Sequence, residues 1–208
     1  MTRSKARFRQ VRHAPGMTRI LLIDGHPDPD PARYGHALAS AYADGATGAG
    51  HALRRVEVAD LDFPLLRSQA QYRGEPVLPV IAAIQQDLLW AEHVAIFYPL
   101  WLGDVPALFK GFLEQLLRPD FAFRYVEHGF PEPLLQGRSA RVVVTMSTPR
   151  PIYSWVYRAH SLKSLERNIL GFCGLGPVRH TILGSVDGGW TPRKRYLEDM
   201  EALGAAAR

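Results

Sequence analysis

Between Phe97 and Pro119 the chain reads FYPLWLGDVPALFKGFLEQLLRP. An apolar run from His93 ends at Pro99, a Leu100-Trp101-Leu102-Gly103 turn follows, and Pro106 opens an amphipathic stretch. That order predicts strand, loop, helix, with the proline at the favoured first helical turn. The loop at the carboxyl end of a strand is where open α/β sheets take ligands. Trp101 offers a flat apolar indole and Gly103 a backbone without a side chain, which a planar ligand can approach closely. An indole that belongs to the core beneath a surface loop is the competing reading, and the loop alone does not decide between them. Other chemistries have little footing: no Ser-His-Asp order, zinc-ligand spacing or carboxylate pair stands out.

The elements around this loop alternate. Arg19–Asp24 (RILLID) is a short apolar run expected to be a buried strand. The next six residues, HPDPDP, hold three prolines and exclude regular structure. Residues 32–49 follow a helical period, with Leu38, Ala41, Tyr42, Gly45 and Ala46 on one face, and Gly48 and Gly50 end it. Ala52–Val58 reads as a second strand, 61–75 as irregular, and 79–91 as a helix. His93–Tyr98 and Pro106–Leu117 follow as strand and helix. Residues 118–137, with three prolines and the aromatics Phe121, Phe123, Tyr125 and Phe130, predict a long functional loop. A fourth strand at Ala140–Met146, a long helix over Tyr153–Leu170, a fifth strand at Pro177–Leu183 and a closing helix at Arg193–Ala206 complete the pattern. Five strands alternating with five helices imply a parallel sheet covered on both faces, a three-layer sandwich with right-handed crossovers. The strand order is left as flavodoxin-like, 2-1-3-4-5, or Rossmann-like. The first strand–helix loop lacks both GxGxxG and a Walker A pattern.

Composition narrows the partners. The 208 residues are 47% hydrophobic and 22% charged, ordinary for one soluble domain, and no apolar run nears the length needed to span a bilayer. The net charge of +5 is misleading, because Arg3, Lys5, Arg7, Arg9 and Arg12 sit in an acid-free first 16 residues. Without them 20 Lys and Arg face 20 Asp and Glu, so no nucleic-acid face is expected. Residues 1–16 are read as a disordered basic tail or an artefact of start choice, Met17 making a natural start, and 17–208 as one domain. The single cysteine, Cys173, forbids an internal disulfide and fits a reducing compartment. Cytoplasm is the expected location.

LLIDGHPDPDPARYGHALASAYADGATGAGH, FYPLWLGDVPALFKGFLEQLL with the following RPDFAF, ARVVVTMSTP and ILGFCGLG together resemble the NAD(P)H:quinone oxidoreductases of flavodoxin-like fold, over residues 19–183. The resemblance implies a flavoprotein, FAD or in some branches FMN, commonly a homodimer with the flavin near the subunit interface. It implies reduction of quinones or related electrophiles by NADH or NADPH. Some relatives are instead ancillary regulatory subunits of potassium efflux systems, the alternative reading, with weak or no flavin binding.

Carried onto this sequence, Pro99, Leu100, Trp101, Leu102 and Gly103 form the flavin-ring loop, and Thr145 and Ser147 belong to a third flavin loop that lacks the family's two glycines. Tyr153 stands near a family tyrosine and His160 near a family histidine of the reaction centre, as the expected catalytic pair. His26, Arg33, Tyr34 and Gly35 occupy the phosphate end, where the family's serine and asparagine are replaced. There the helix N-terminus still offers free N–H groups and partial positive charge, with Arg33 as the expected side-chain contact. A chain beginning at Met17 is expected to match the full chain in melting temperature and quinone turnover. A drop of several degrees in the shortened chain would show that the basic arm packs on the body.

Overall fold

The computed structural model describes residues 16–188 and 192–208, so the expected basic tail lies outside the described residues apart from Gly16. Five parallel strands form the sheet: β1 (Arg19–Asp24), β2 (Ala52–Glu57), β3 (His93–Pro99), β4 (Ser139–Thr145) and β5 (Val178–Leu183). Their spatial order is β2-β1-β3-β4-β5, the flavodoxin-like alternative. β1, β3 and β4 are apolar along nearly their whole length because both faces are covered. Alternate side chains divide the core: Leu21, Ile23, Val94, Ile96, Val142 and Val144 face one side, and Ile20, Leu22, Ala95, Phe97 and Val143 the other.

The first side is covered by α2 (Pro79–Trp90), α3 (Ala107–Leu116) and α4 (His160–Ser164), the last running on as a π-helical segment, Leu165–Gly171. The second is covered by α1 (Tyr34–Gly48) and α5 (Arg193–Ala205). α1 begins two residues later than its periodicity suggests, because Arg33 is extended, at φ −66° and ψ 131°. α1 and α5 touch backbone to backbone. A Cβ on Gly45 would stand 2.0 Å from the Glu201 carbonyl oxygen, and one on Gly204 would stand 2.0 Å from that of Tyr42.

Three expectations are corrected. The long helix over 153–170 is broken: a π-helical turn spans Ile152–Val156, and Arg158 and Ala159 adopt left-handed φ of 53° and 48° before α4 starts. Two successive residues in that region cannot continue a right-handed helix. The loop at 118–137 carries a two-residue ladder, Phe123–Arg124 with Glu132–Pro133, and Phe123 is buried with its ring 4.7 Å from that of Phe172. Part of its aromatic cluster is therefore core. The expected irregular segment 61–75 also holds one short helix, Gln69–Arg73.

The α1–α5 contact is the place where one methyl group should cost most. Gly45→Ala must push α5 away from α1, an overpacking cost of about 1–3 kcal/mol. Thermal unfolding should show a lower Tm at roughly 2–4 °C per kcal/mol for a domain of this size. An unchanged Tm would show that the two helices separate freely.

Candidate functional site

The run Asp24-Gly-His-Pro-Asp-Pro-Asp-Pro-Ala32 folds by one repeated device. Asp24 Oδ1 accepts from the His26 amide (3.1 Å), His26 Nδ1 from the Asp28 amide (3.1 Å), Asp28 Oδ1 from the Asp30 amide (3.0 Å) and Asp30 Oδ1 from the Ala32 amide (3.0 Å). The residues between, Pro27, Pro29 and Pro31, have no N–H to satisfy. Every amide from 26 to 32 that exists at an even position is thus bonded by the side chain two residues before it, a series of Asx-type turns. Asp28 and Asp30 are turn formers, and both also pair with Arg33, at 2.8 and 3.5 Å. The backbone bond from Asp30, with help from Arg33, holds the Asp28 carboxyl below its usual range.

Beneath this loop lies a buried cluster of charges. Asp24, 1% exposed, binds His36 Nδ1 at 2.7 Å and the Arg55 guanidinium at 3.4 Å. Arg55 also pairs with Glu57 and donates to Ser40 Oγ at 3.0 Å. His36 Nε2 lies 2.9 Å from the Asp28 carbonyl oxygen. Burial opposes a charged His36, but the hydrogen bonds to Asp24 and Asp28 and the charges of Asp24 and Glu57 outweigh it, so its pKa is raised. Burial and the neighbouring His36, 5.0 Å away between ring centroids, push His26 the other way. Burial and the Asp24 charge raise Glu57 against the pull of Arg55. A groove of about 300 Å³ runs past this cluster between Pro29, Pro31, Ser40 and Asp60.

At the carboxyl ends of β3 and β4 the chain builds a second feature. Trp101 and Asp104 exchange backbone hydrogen bonds of 3.0 Å each, closing a two-residue turn over Leu102 (φ 49°) and Gly103 (φ 81°). Positive φ at both central residues is the signature of the primed hairpin turns, which glycine adopts without strain and leucine does not. The Leu100 amide donates to the Thr145 carbonyl at 2.7 Å, tying this loop to the end of β4. Between the turn and the residues after β4 opens a cleft of about 660 Å³, within the range of small-molecule sites.

Of the expected site residues, Leu100, Leu102, Gly103, Ser147, Tyr153 and His160 line this cleft. Thr145 is buried at the end of β4, Pro99 ends β3, and Ser147 Oγ hydrogen-bonds the Asp187 carboxylate. Trp101 faces away, into a neighbouring cleft of about 450 Å³ between α3 and α4, with its ring edge-on to His26 at 6.3 Å. His26, Arg33, Tyr34 and Gly35 gather at the N-terminus of α1, outside the main cleft. Arg33 is engaged by its two aspartates. The Tyr34 hydroxyl donates to the Arg193 carbonyl at 3.0 Å under that residue's guanidinium, and burial raises its pKa to about 12. The sequence reading missed Met146, Thr148, Tyr157 and Ser161 in the cleft, and His36 behind the loop. Ser161 Oγ lies 2.8 Å from the Tyr153 hydroxyl, which also accepts from the Leu162 amide at 3.3 Å. The Asp-x-His-Pro-Asp-Pro-Asp-Pro alternation was the available signal for the loop's structure.

A family model described as flavodoxin-like fold matches residues 18–205. An uncharacterized NAD(P)H oxidoreductase of Haemophilus influenzae is 24% identical over 170 residues, 80% of this chain and 83% of that protein. An FMN-dependent NADH:quinone oxidoreductase of Listeria innocua is 25% identical over 192 residues, 82% of this chain and 89% of that protein. The structure of NAD(P)H:quinone oxidoreductase from Methanothermobacter marburgensis superposes with a TM-score of 0.76 at 20% identity, covering 91% of this chain and 96% of the other. With the strand order, the match to the family model over nearly the whole sequence and these likenesses, the chain belongs to the flavodoxin-like fold family.

Proposed function

We propose that the protein is a flavin-dependent NAD(P)H oxidoreductase that reduces quinones or related electrophiles. The observation that carries this reading is the cleft of about 660 Å³ at the carboxyl ends of β3 and β4, beside a helix N-terminus with no acidic residue in its first turn. Leu100, Leu102 and Met146 give it apolar walls, and Ser147, Thr148, Ser161 and the Tyr153–Ser161 hydroxyl pair give it a polar rim. That combination suits a flat heteroaromatic ring with polar edges. When bound, the flavin supplies the hydride chemistry between nicotinamide and acceptor.

The chain's residues hold and orient it. With the Leu100 and Trp101 amides bonded to the Thr145 and Asp104 carbonyls, the amides of Leu102 and Gly103 would be the ones along the ring, where fixed dipoles favour negative charge. Backbone N–H groups at the start of α1, with His26, take the phosphate. The carboxylates of Asp28 and Asp30 are already committed to amides and to Arg33, so they do not repel it. The same pairing leaves Arg33 a lesser role than the free guanidinium expected from sequence. Tyr34 contributes through its backbone. His160 and Tyr157 on the rim face the incoming substrate, and Tyr153 acts through Ser161, a pair able to pass a proton to an acceptor oxygen.

FMN replaces the expected FAD as the cofactor, and NADH is the donor of choice. The Listeria innocua relative is FMN-dependent and uses NADH by name. The groove beyond the phosphate end has no Phe, Tyr or Trp among its lining residues to stack an adenine, and its Arg55, Glu57 and His36 are engaged with one another and with Asp24. A second copy of the chain covers the exposed apolar residues Leu102, which is fully exposed, and Trp155 and Val156, which are 80% and 71% exposed and stand in sequence between the cleft residues Tyr153 and Tyr157. Among the described residues no helix is long and apolar enough to cross a membrane.

Titration of purified protein with FMN should quench flavin fluorescence saturably, with FAD binding more weakly. Initial rates with NADH and a benzoquinone should give parallel double-reciprocal lines, since one cleft serves both substrates in turn. Absence of saturable binding to either flavin would overturn the reductase reading and favour the regulatory alternative. For the dimer, Trp155→Arg should lower the mass seen in sedimentation to that of one chain and weaken FMN binding. A parent that sediments as a single chain at micromolar concentration would remove the second copy from the scheme.

A further inference from the structure

His36 has two ring nitrogens, and both face groups that only accept. Nδ1 lies 2.7 Å from the Asp24 carboxylate and Nε2 lies 2.9 Å from the Asp28 carbonyl oxygen. A neutral imidazole donates from one nitrogen alone and would set a lone pair against one of these oxygens. Only the imidazolium satisfies both. The charges around it agree. Asp24 from β1 and Glu57 from β2 are anions, Arg55 from β2 is a cation, and Asp60 from the turn after β2 lies along the same groove. On the loop, Asp28 and Asp30 pair with Arg33, and His26 Nδ1 accepts the Asp28 amide. With Asp24, Glu57 and Arg55 ionised, a protonated His36 brings the buried group to charge balance, and a neutral one leaves an uncompensated buried carboxylate.

We propose that His36 is a standing imidazolium that locks the 25–33 loop and, through Asp28, fixes the His26 ring at the phosphate end of the flavin site. The flavin part of this proposal rests on the function proposed above. The mechanism is a chain of constraints. His36 clamps the Asp28 carbonyl, and the same residue holds His26 Nδ1, whose neighbours are the Asp28 amide at 3.1 Å and the Asp28 carbonyl oxygen at 3.2 Å, so the position of the His26 ring follows that of Asp28. His36 touches neither ring nor substrate and is a positioning residue. The sign follows from the raised pKa: the charged form is favoured by the fold. The lock is complete below the ordinary value of 6.5, persists above it, and is lost as pH rises through the folded value.

The test uses the uniformly ¹⁵N-labelled full chain without flavin, followed by imidazole nitrogen and Asp28 amide resonances from about pH 6 to about pH 9. Both His36 nitrogens should be protonated at neutral pH, and the Asp28 amide and the His26 ring resonances should shift as His36 titrates. In parallel, the FMN dissociation constant of the parent should rise about ten-fold or more through that same transition. A phosphate monoester is already dianionic above its second pKa of about 6, so the ligand's phosphate does not produce that loss. His36→Gln should bind weakly at every pH with a flat profile, and His36→Lys should regain affinity at neutral pH. If either variant fails to fold, the parent's resonances and pH profile still decide. An unprotonated His36 nitrogen at neutral pH, or an Asp28 amide indifferent to His36, would overturn the lock. A flat dissociation constant through a visible His36 titration would overturn its positioning role. A titrating lock in a protein that binds no flavin at any pH supports the lock and sinks the flavin reading instead.

Discussion

The carboxylate of Asp24 is the point on which the ligand end of this fold turns. It is 1% exposed, and in the sheet register it stands directly beside Glu57. Two carboxylates paired across neighbouring strands repel each other, and a buried charge without partners costs several kcal/mol. The chain answers from three elements: Arg55 two residues before Glu57 on β2, His36 on the first turn of α1, and the His26 amide at the start of the loop. Each answer fixes geometry. Arg55 reaches Ser40 and so joins β2 to α1, His36 reaches Asp28 and so joins α1 to the loop, and the His26 amide begins the series of turns that carries the chain to Arg33. The residues at the switch between β1 and β3 are in place because one buried charge had to be neutralised.

The main cleft arises from a different constraint, the end of the sheet. Parallel strands run out together, and the amide of Leu100 finds the Thr145 carbonyl, extending the β3–β4 pairing one step into the loops. Trp101 then turns back on Asp104, so the loop rises as a hairpin beside the cleft instead of closing over it. Across the cleft, the π-helical turn at Ile152–Val156 and the left-handed pair Arg158–Ala159 bring Tyr153 and Ser161 together. A continuous helix would set those two positions, eight residues apart, more than two turns from each other, about 12 Å along the axis. The break in the helix makes the hydroxyl pair.

These two constraints explain what could be read in advance. β1, β3 and β4 are apolar on both faces, a pattern that only a covered parallel strand produces, and the strand-end loop at 99–103 carried its own ligand signal. The α1 face was legible through Leu38, Tyr42, Gly45 and Ala46. What stayed hidden depends on distance across the fold. Nothing in YRAHSLK marks Arg158 and Ala159 as left-handed, since neither is a glycine or an asparagine and the apolar period continues on either side. His36 carries no signal of its own in the sequence, because its meaning comes from the strand register that puts Asp24 beside Glu57. Arg33 was read as a free cation, and it is the loop's own aspartates that occupy it.

Leu102 sets the energetic balance of the cleft. A non-glycine residue held left-handed costs about 1–2 kcal/mol, and here its side chain gains nothing from burial, being fully exposed. The two backbone hydrogen bonds between Trp101 and Asp104 offset part of this, at about 0.5–1.5 kcal/mol each. Covering a leucine side chain releases about 1.5–3 kcal/mol more, enough to exceed the strain. On the proposed reading, whatever lies over the cleft mouth stabilises the hairpin that shapes it, whether a flat ligand or a second copy. On that reading, the exposed leucine at this position is accounted for by what covers it. An isolated hairpin would be better served by glycine or asparagine, which accept the same backbone without exposing an apolar side chain to water.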